Sequence, residues 1–123
     1  MLLKDPVYGK RALDILLRFE RGEELGATST LVLSQVFSHL KKRGKAKAID
    51  MFYKYVDQMP IKIVDTTLED FKQAKRLKLE LNLPWRLWDD LVIAAQMKRL
   101  GIEVIYSNDE DFDLIKGIKR VFL

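Results

Sequence analysis

The sequence predicts a single α/β domain built on a short parallel sheet. Two observations predict it. Amphipathic helical segments alternate with short runs rich in β-branched residues, at spacings suited to crossover connections. The chain has 123 residues, 48% of them hydrophobic, enough for one buried core and too few for two ordinary domains. No repeat, low-complexity segment or Pro/Gly/Ser-rich linker divides it, so residues 1–123 read as one domain. At most four short strands are visible. The chain opens on a helix, where such a fold usually opens on a buried strand.

The first helix is expected over Tyr8–Arg21, because Ala12, Ile15, Leu16 and Phe19 fall on one face. Gly22 stops it. Ala27–Ser29 reads as the end of a strand. Ser29 or Thr30 then caps a second helix to about Arg43, with Leu33, Val36, Phe37 and Leu40 inward. Gly44 separates it from a third helix over Lys45–Gln58, with Ile49, Phe52, Tyr53 and Val56 inward, and Pro60 breaks the chain. Ile61–Val64 is a short strand. Thr66 or Thr67 caps a fourth helix through Phe71, Ala74 and Leu77 to about Leu81, where Asn82-Leu83-Pro84 interrupts. A fifth helix runs from Asp89, its N-cap, to Leu100, with Trp88, Leu91, Val92 and Ala95 as its apolar stripe and Gly101 as its stop. Ile102–Tyr106 is a strand, and Val121–Leu123 a last one.

Composition narrows the chemistry. There is no cysteine, which excludes disulfides, thiolate metal sites and cysteine nucleophiles and makes a reducing cytoplasm the default compartment. There is one histidine, His39, so a metal site must rest mainly on oxygen ligands. No apolar run approaches the ~20 residues needed to cross a bilayer, and no secretory signal is visible at the N-terminus. The net charge of +4 is mild, but it is unevenly spread. Lys41, Lys42, Arg43, Lys45 and Lys47 form a basic window, a candidate track for RNA phosphates. Asp109, Glu110, Asp111 and Asp113 form an acidic one. Together these suit a metal-dependent enzyme acting on a phosphodiester, and the plainer reading is two solvated loops.

The acids are placed suggestively. Asp89 and Asp90 open a helix, where one carboxylate can serve the free N–H groups and leaves the other spare. Asp109 and Asp111 follow the carboxyl end of a strand, where open parallel sheets bind ligands. A helix-start and a strand-end carboxylate can converge on one hard cation such as Mg²⁺ or Mn²⁺. Read singly, the same acids are a helix cap and a polar turn. His39 lies four residues after Gln35 on the same helical face, as a metal pair or simply as a surface residue. Trp85 is a surface aromatic, for stacking on a base or for a partner contact.

Asp90-Leu-Val-Ile-Ala-Ala, Met97-Lys-Arg-Leu-Gly101 and Tyr106-Ser-Asn-Asp-Glu-Asp-Phe112 together resemble the C-terminal half of a PIN domain, most of all the small VapC-type toxin ribonucleases. Thr28-Ser-Thr-Leu-Val-Leu-Ser-Gln-Val36 resembles the family's second helix, and Asp5-Pro6 through Arg21 its first. The resemblance implies a three-layer α/β/α sandwich and an acidic cluster holding Mg²⁺ or Mn²⁺ that cleaves RNA. It implies Asp90 as the helix-start acid, Asp109 as the strand-end acid, Asp111 as the accessory acid and Ser107 as the hydroxyl orienting the turn. A cognate antitoxin is the implied protein partner.

Two departures stand out. The family's first central strand, which ends in an aspartate, is missing, so the domain reads as N-terminally truncated, and Asp5 does not replace the absent acid. The second-helix glutamate is Gln35, a neutral and therefore weak ligand. Metal binding is expected to be weak and the ribonuclease impaired. A sheet short of its central strand would be completed by rearranged or swapped pairing, or by a homodimer. A second reading is a non-catalytic PIN-like module that binds RNA or a protein. A third is a helical interaction protein, which leaves the paired placement of the acids unexplained.

Overall fold

The computed structural model describes residues 2–3, 18, 21–22, 26–42, 44, 46–58 and 61–121. The helix expected over Tyr8–Arg21, the acid Asp5, and the basic residues Arg43 and Lys45 lie outside these, apart from single positions of the helix. The elements, in chain order, are β1 (Leu2–Leu3), β2 (Ala27–Ser29), α1 (Thr30–Lys42), α2 (Ala46–Gln58), β3 (Lys62–Val64) and α3 (Leu68–Leu81). A 3-10 turn (Trp85–Leu87), α4 (Trp88–Arg99), β4 (Val104–Tyr106), a second 3-10 turn (Glu110–Leu114) and β5 (Lys119–Val121) follow.

The strands form one five-stranded sheet in the order β3-β2-β1-β4-β5, parallel at every pairing. β1 is central: Leu2 pairs with both Ala27 and Ile105, and Leu3 with Tyr106. The expectation that the first central strand is missing is therefore corrected. A two-residue strand shows no alternation of apolar and polar residues, so its pattern cannot be read from sequence. The sheet closes within one chain, which removes the reason given above for a swapped segment or a dimer. The last strand also shifts, from Val121–Leu123 to Lys119–Val121, where Lys119 pairs with Val104. Strand order reverses between β1 and β4, the place where open α/β sheets form their ligand crevice.

α4 organises the interior. Its residues from Asp90 to Met97 are all buried, so the single apolar stripe drawn from spacing is too narrow. The helix is packed on all sides, and it carries the polar Asp90 and Gln96 inside together with its apolar residues. Its Leu91 and Ile93 cluster with Leu87, Ile105, Phe112 and Ile115 and with Ala74 and Leu77 of α3. The helix ends at Gly101 (φ +70°), a left-handed position that suits glycine. There the Gly101 N–H donates to the Lys98 carbonyl and the Ile102 N–H to that of Met97, at 3.2 and 2.8 Å. α1 and α2 pack more loosely. Phe37 stacks on Tyr53 with centroids 4.5 Å apart, yet Tyr53, expected inward, is 57% exposed.

Hydroxyls start the helices. Ser29 Oγ accepts from the Val32 N–H at 3.2 Å and caps α1. Thr66, two residues past β3, receives the Leu31 N–H on its hydroxyl and donates its own N–H to Thr30 Oγ1. Thr67 caps α3, with its hydroxyl accepting from Asp70 N–H and Asp70 Oδ2 accepting from Thr67 N–H.

Asp70 is buried and also receives Arg99 of α4, Nε to Oδ1 at 2.8 Å and Nη2 to Oδ2 at 3.1 Å. Burial works to raise its carboxyl pKa, and the hydrogen bonds from Arg99 and Thr67 outweigh it, holding the group below its ordinary value near 3.8. A depressed folded pKa adds stability above the unfolded value and loses it as pH falls through the folded one. Thermal melts of the native chain and Asp70→Asn should therefore converge as pH drops below about 4. A difference in melting temperature that stays constant down to roughly pH 2 would contradict this.

Candidate metal centre

Asp90 sits in the first turn of α4, buried, with its carboxylate near the positive end of the helix dipole. The N-cap position expected for Asp89 belongs instead to Leu87, which has no side chain to cap with. The 3-10 turn Trp85–Leu87 runs straight into α4, so the helix begins before either acid. Asp89 lies exposed in the first turn and accepts from Gln35 Nε2 at 3.0 Å.

The second half of the site follows β4. Ser107 is fully buried, and its N–H donates to the Val121 carbonyl of β5. Its hydroxyl oxygen accepts from the Asp109 N–H at 3.0 Å, and Asp109 Oδ1 accepts from the Asp111 N–H at 3.0 Å. These two short loops tie the acids to the strand end, and Phe112, fully buried, anchors them from below. Arg120 braces the far side. It holds Asp113 through Nε and Nη2, both at 3.0 Å, and donates to the Ser107 carbonyl at 3.3 Å. The guanidinium bonded to Asp113 keeps that carboxyl below the usual range, against a small opposing effect of burial.

The fold brings Asp90, Asp109 and Asp111 together: each offers a carboxylate oxygen within 4.8 Å of the other two. Three converging carboxylates are a hard-oxygen donor set of the kind Mg²⁺ and Mn²⁺ prefer. Their mutual repulsion in a partly buried site is relieved by a cation. Arg86, unremarked by the sequence pattern, sets its Nη1 3.1 Å from Asp111 Oδ2. The two residues are 25 positions apart, so no local signal links them.

The remaining candidates lie nearby or apart. Gln35 does not fall among the three acids' partners but is bonded to Asp89, beside Asp90. Its Oε1 is buried and, among the described residues, is the one side-chain polar atom of that kind with no hydrogen-bond partner. Gln35, Asp89, His39 and Lys42 line one groove of about 450 Å³ along α1. Lys41 and Lys42 at the end of α1 and Lys47 in α2 are exposed. Trp85 is 60% exposed, with Lys78 Nζ over its ring at 4.3 Å from the centroid. Among the described residues no helix is long and apolar enough to cross a membrane.

Comparison with known proteins agrees with this architecture. A toxin–antitoxin complex from Klebsiella pneumoniae shares 20% identity over 96% of this chain and 94% of its own, with a TM-score of 0.64. VapC20 of Mycobacterium tuberculosis, described as a sarcin–ricin loop cleaving toxin, shares 17% over 92% and 93%, at 0.68. VapBC2 from Rickettsia felis, bound to a fragment of its promoter DNA, shares 17% over 99% and 98%, at 0.69. At these identities the likeness is one of fold. No curated protein matches the sequence. The family model of the PIN domain matches residues 2–118. With that match over nearly its whole length, and with the fold and acids described above, the chain belongs to the PIN domain family.

Proposed function

We propose that this chain is a metal-dependent endoribonuclease of the VapC toxin type, impaired by the neutral glutamine at position 35. One observation carries the reading: the convergence of Asp90, Asp109 and Asp111 within 4.8 Å. These three would hold Mg²⁺ or Mn²⁺, and Gln35 contributes at most its neutral amide oxygen. The bound ion would supply activation of water and neutralisation of charge at the scissile phosphodiester. The chain's own residues do the rest. Ser107 fixes the turn that aims Asp109, and Asp109 in turn fixes Asp111. The groove along α1 is lined by Asp89, Gln35, His39 and Lys42, and Lys42 there, with the exposed Lys41 and Lys47, would offer basic contacts to RNA phosphates. Arg43 and Lys45 belong to the same window of sequence. The toxin fold makes a cognate antitoxin the expected protein partner, in a cytoplasmic setting.

Impairment follows from charge. Divalent affinity depends on ligand charge count, and position 35 brings none. Restoring it has a complication that the geometry makes plain. A carboxylate at 35 would meet Asp89 Oδ2, which now lies 3.0 Å from the Gln35 amide nitrogen. Gln35→Glu alone should therefore gain little. Gln35→Glu with Asp89→Asn keeps a hydrogen bond across the pair and moves one negative charge from position 89 to position 35 without changing the total. It should therefore bind Mn²⁺ about fivefold more tightly than Gln35→Glu alone, the ~1 kcal/mol that relieving one unit-charge contact at about 4 Å is worth in water. RNA cleavage in Mn²⁺, stopped by chelator, should rise in the same variant. Neutral Gln35 also favours the second reading, a module that binds RNA without cutting it. Equal, absent cleavage in both proteins, alongside retained RNA binding, would decide for that reading.

A further inference from the structure

We propose that Arg86 is a positioning residue that couples RNA to the metal centre: its guanidinium holds Asp111 while no RNA is present, and passes to an RNA phosphate when RNA binds. The inference rests on the reading of Asp90, Asp109 and Asp111 as a metal centre.

Three Arg–Asp pairs among the described residues allow a comparison. Arg99 grips Asp70, and Arg120 grips Asp113, each through two donors. Their Arg side chains are 38% and 16% exposed. Arg86 differs on both counts. It reaches Asp111 through Nη1 alone, at 3.1 Å, and its side chain is 62% exposed. A guanidinium has five N–H donors, so most of this one stays unspent among the described residues. A single-donor, exposed ion pair is weak and readily exchanged. A phosphate offers a guanidinium two parallel bonds, a stronger match than the one it leaves.

Location makes the exchange consequential. Arg86 stands on the turn that leads directly into α4, four residues before Asp90, and its partner Asp111 belongs to the acidic cluster. While the guanidinium sits on Asp111, one of three carboxylates is partly neutralised, and an incoming cation meets a positive charge at the rim. A phosphate that draws Arg86 away removes both obstacles. Linkage then requires the converse: whatever factor RNA adds to metal affinity, metal adds to RNA affinity. The centre would be weak at rest and completed by its substrate.

The test is Mn²⁺ calorimetry on the native chain, Arg86→Gln, Asp111→Asn, their double variant and Asp90→Asn. Each is titrated with and without a phosphorothioate oligouridylate, whose linkages keep their charge and resist cleavage. Without the oligonucleotide, Arg86→Gln should bind Mn²⁺ two- to fivefold more tightly than the native chain, the scale of an exposed ion pair. In the Asp111→Asn background the same substitution should change nothing. The oligonucleotide should tighten Mn²⁺ on the native chain by a similar factor and leave Arg86→Gln unmoved. Equal or weaker Mn²⁺ binding by Arg86→Gln, or an undiminished oligonucleotide effect in that variant, overturns the role of Arg86. Mn²⁺ binding that survives in Asp90→Asn overturns the metal-centre reading itself.

Discussion

Asp90→Asn should remove Mn²⁺ binding and lower any metal-dependent RNA cleavage by at least about a hundredfold, since even partners one shell outside a metal are worth 10–100-fold. Asp90 is the buried member of the trio, at 7% exposure. A buried carboxylate gives a cation more than an exposed one, because less water screens the attraction. Asparagine keeps its volume and one carbonyl oxygen but carries no charge. Folding stability without metal should change by less than about 1 kcal/mol, because the lost charge was repelled by Asp109 and Asp111. Loss of function with stability retained is the signature of a ligand and not of a structural acid. A variant that unfolds, or one that cleaves as the native chain does, would count against the assignment. Chemical denaturation run beside the cleavage assay separates these outcomes.

Phe112→Ala should cost about 3–5 kcal/mol, the range for removing a fully buried aromatic ring. Phe112 has no exposed surface and packs with Leu87, Leu91, Ile105 and Ile115. The cost would be a large fraction of the 5–15 kcal/mol that holds a typical domain together. Its position gives it a second effect. Phe112 lies between Asp111 and Asp113 on the turn that presents the acids, so a cavity there loosens the turn. Mn²⁺ affinity should fall even where the variant remains folded. Phe112→Leu, closer in volume, should cost much less and keep the affinity. The readout is the urea midpoint at unchanged slope. A loss below about 1 kcal/mol for the alanine variant would show that the turn is not seated in the core.

The C-terminal half was legible because its signals are local. Apolar spacing marks α4, Gly101 its end, and a β-branched run β4, and the acids sit at the junctions these define. Where α4 begins was not legible: the preceding 3-10 turn carries the chain into the helix early, so Leu87 takes the cap position and Asp89 turns toward Gln35. β1 escaped because a pair of leucines has no period. Its place is set by hydrogen bonds to β2 and β4, more than 20 and 100 residues away in sequence. Arg86, Arg99 and Arg120 escaped for a related reason. Each is an ordinary surface-type residue until the fold brings it to Asp111, Asp70 or Asp113. Spacing also placed Tyr53 of α2 inside, yet α1 covers only part of it through Phe37.

The central claim is that the acids at the end of β4 and the start of α4 hold one divalent ion. Paramagnetic broadening of the amide NMR signals by substoichiometric Mn²⁺ tests it most directly, because the effect falls steeply with distance from the ion. The account predicts that residues 89–91 and 107–112 lose intensity first, that excess Mg²⁺ restores them, and that Asp90→Asn abolishes the effect. Broadening centred elsewhere, for example on Asp50 and Asp57 of α2, or spread evenly over the surface, would contradict it.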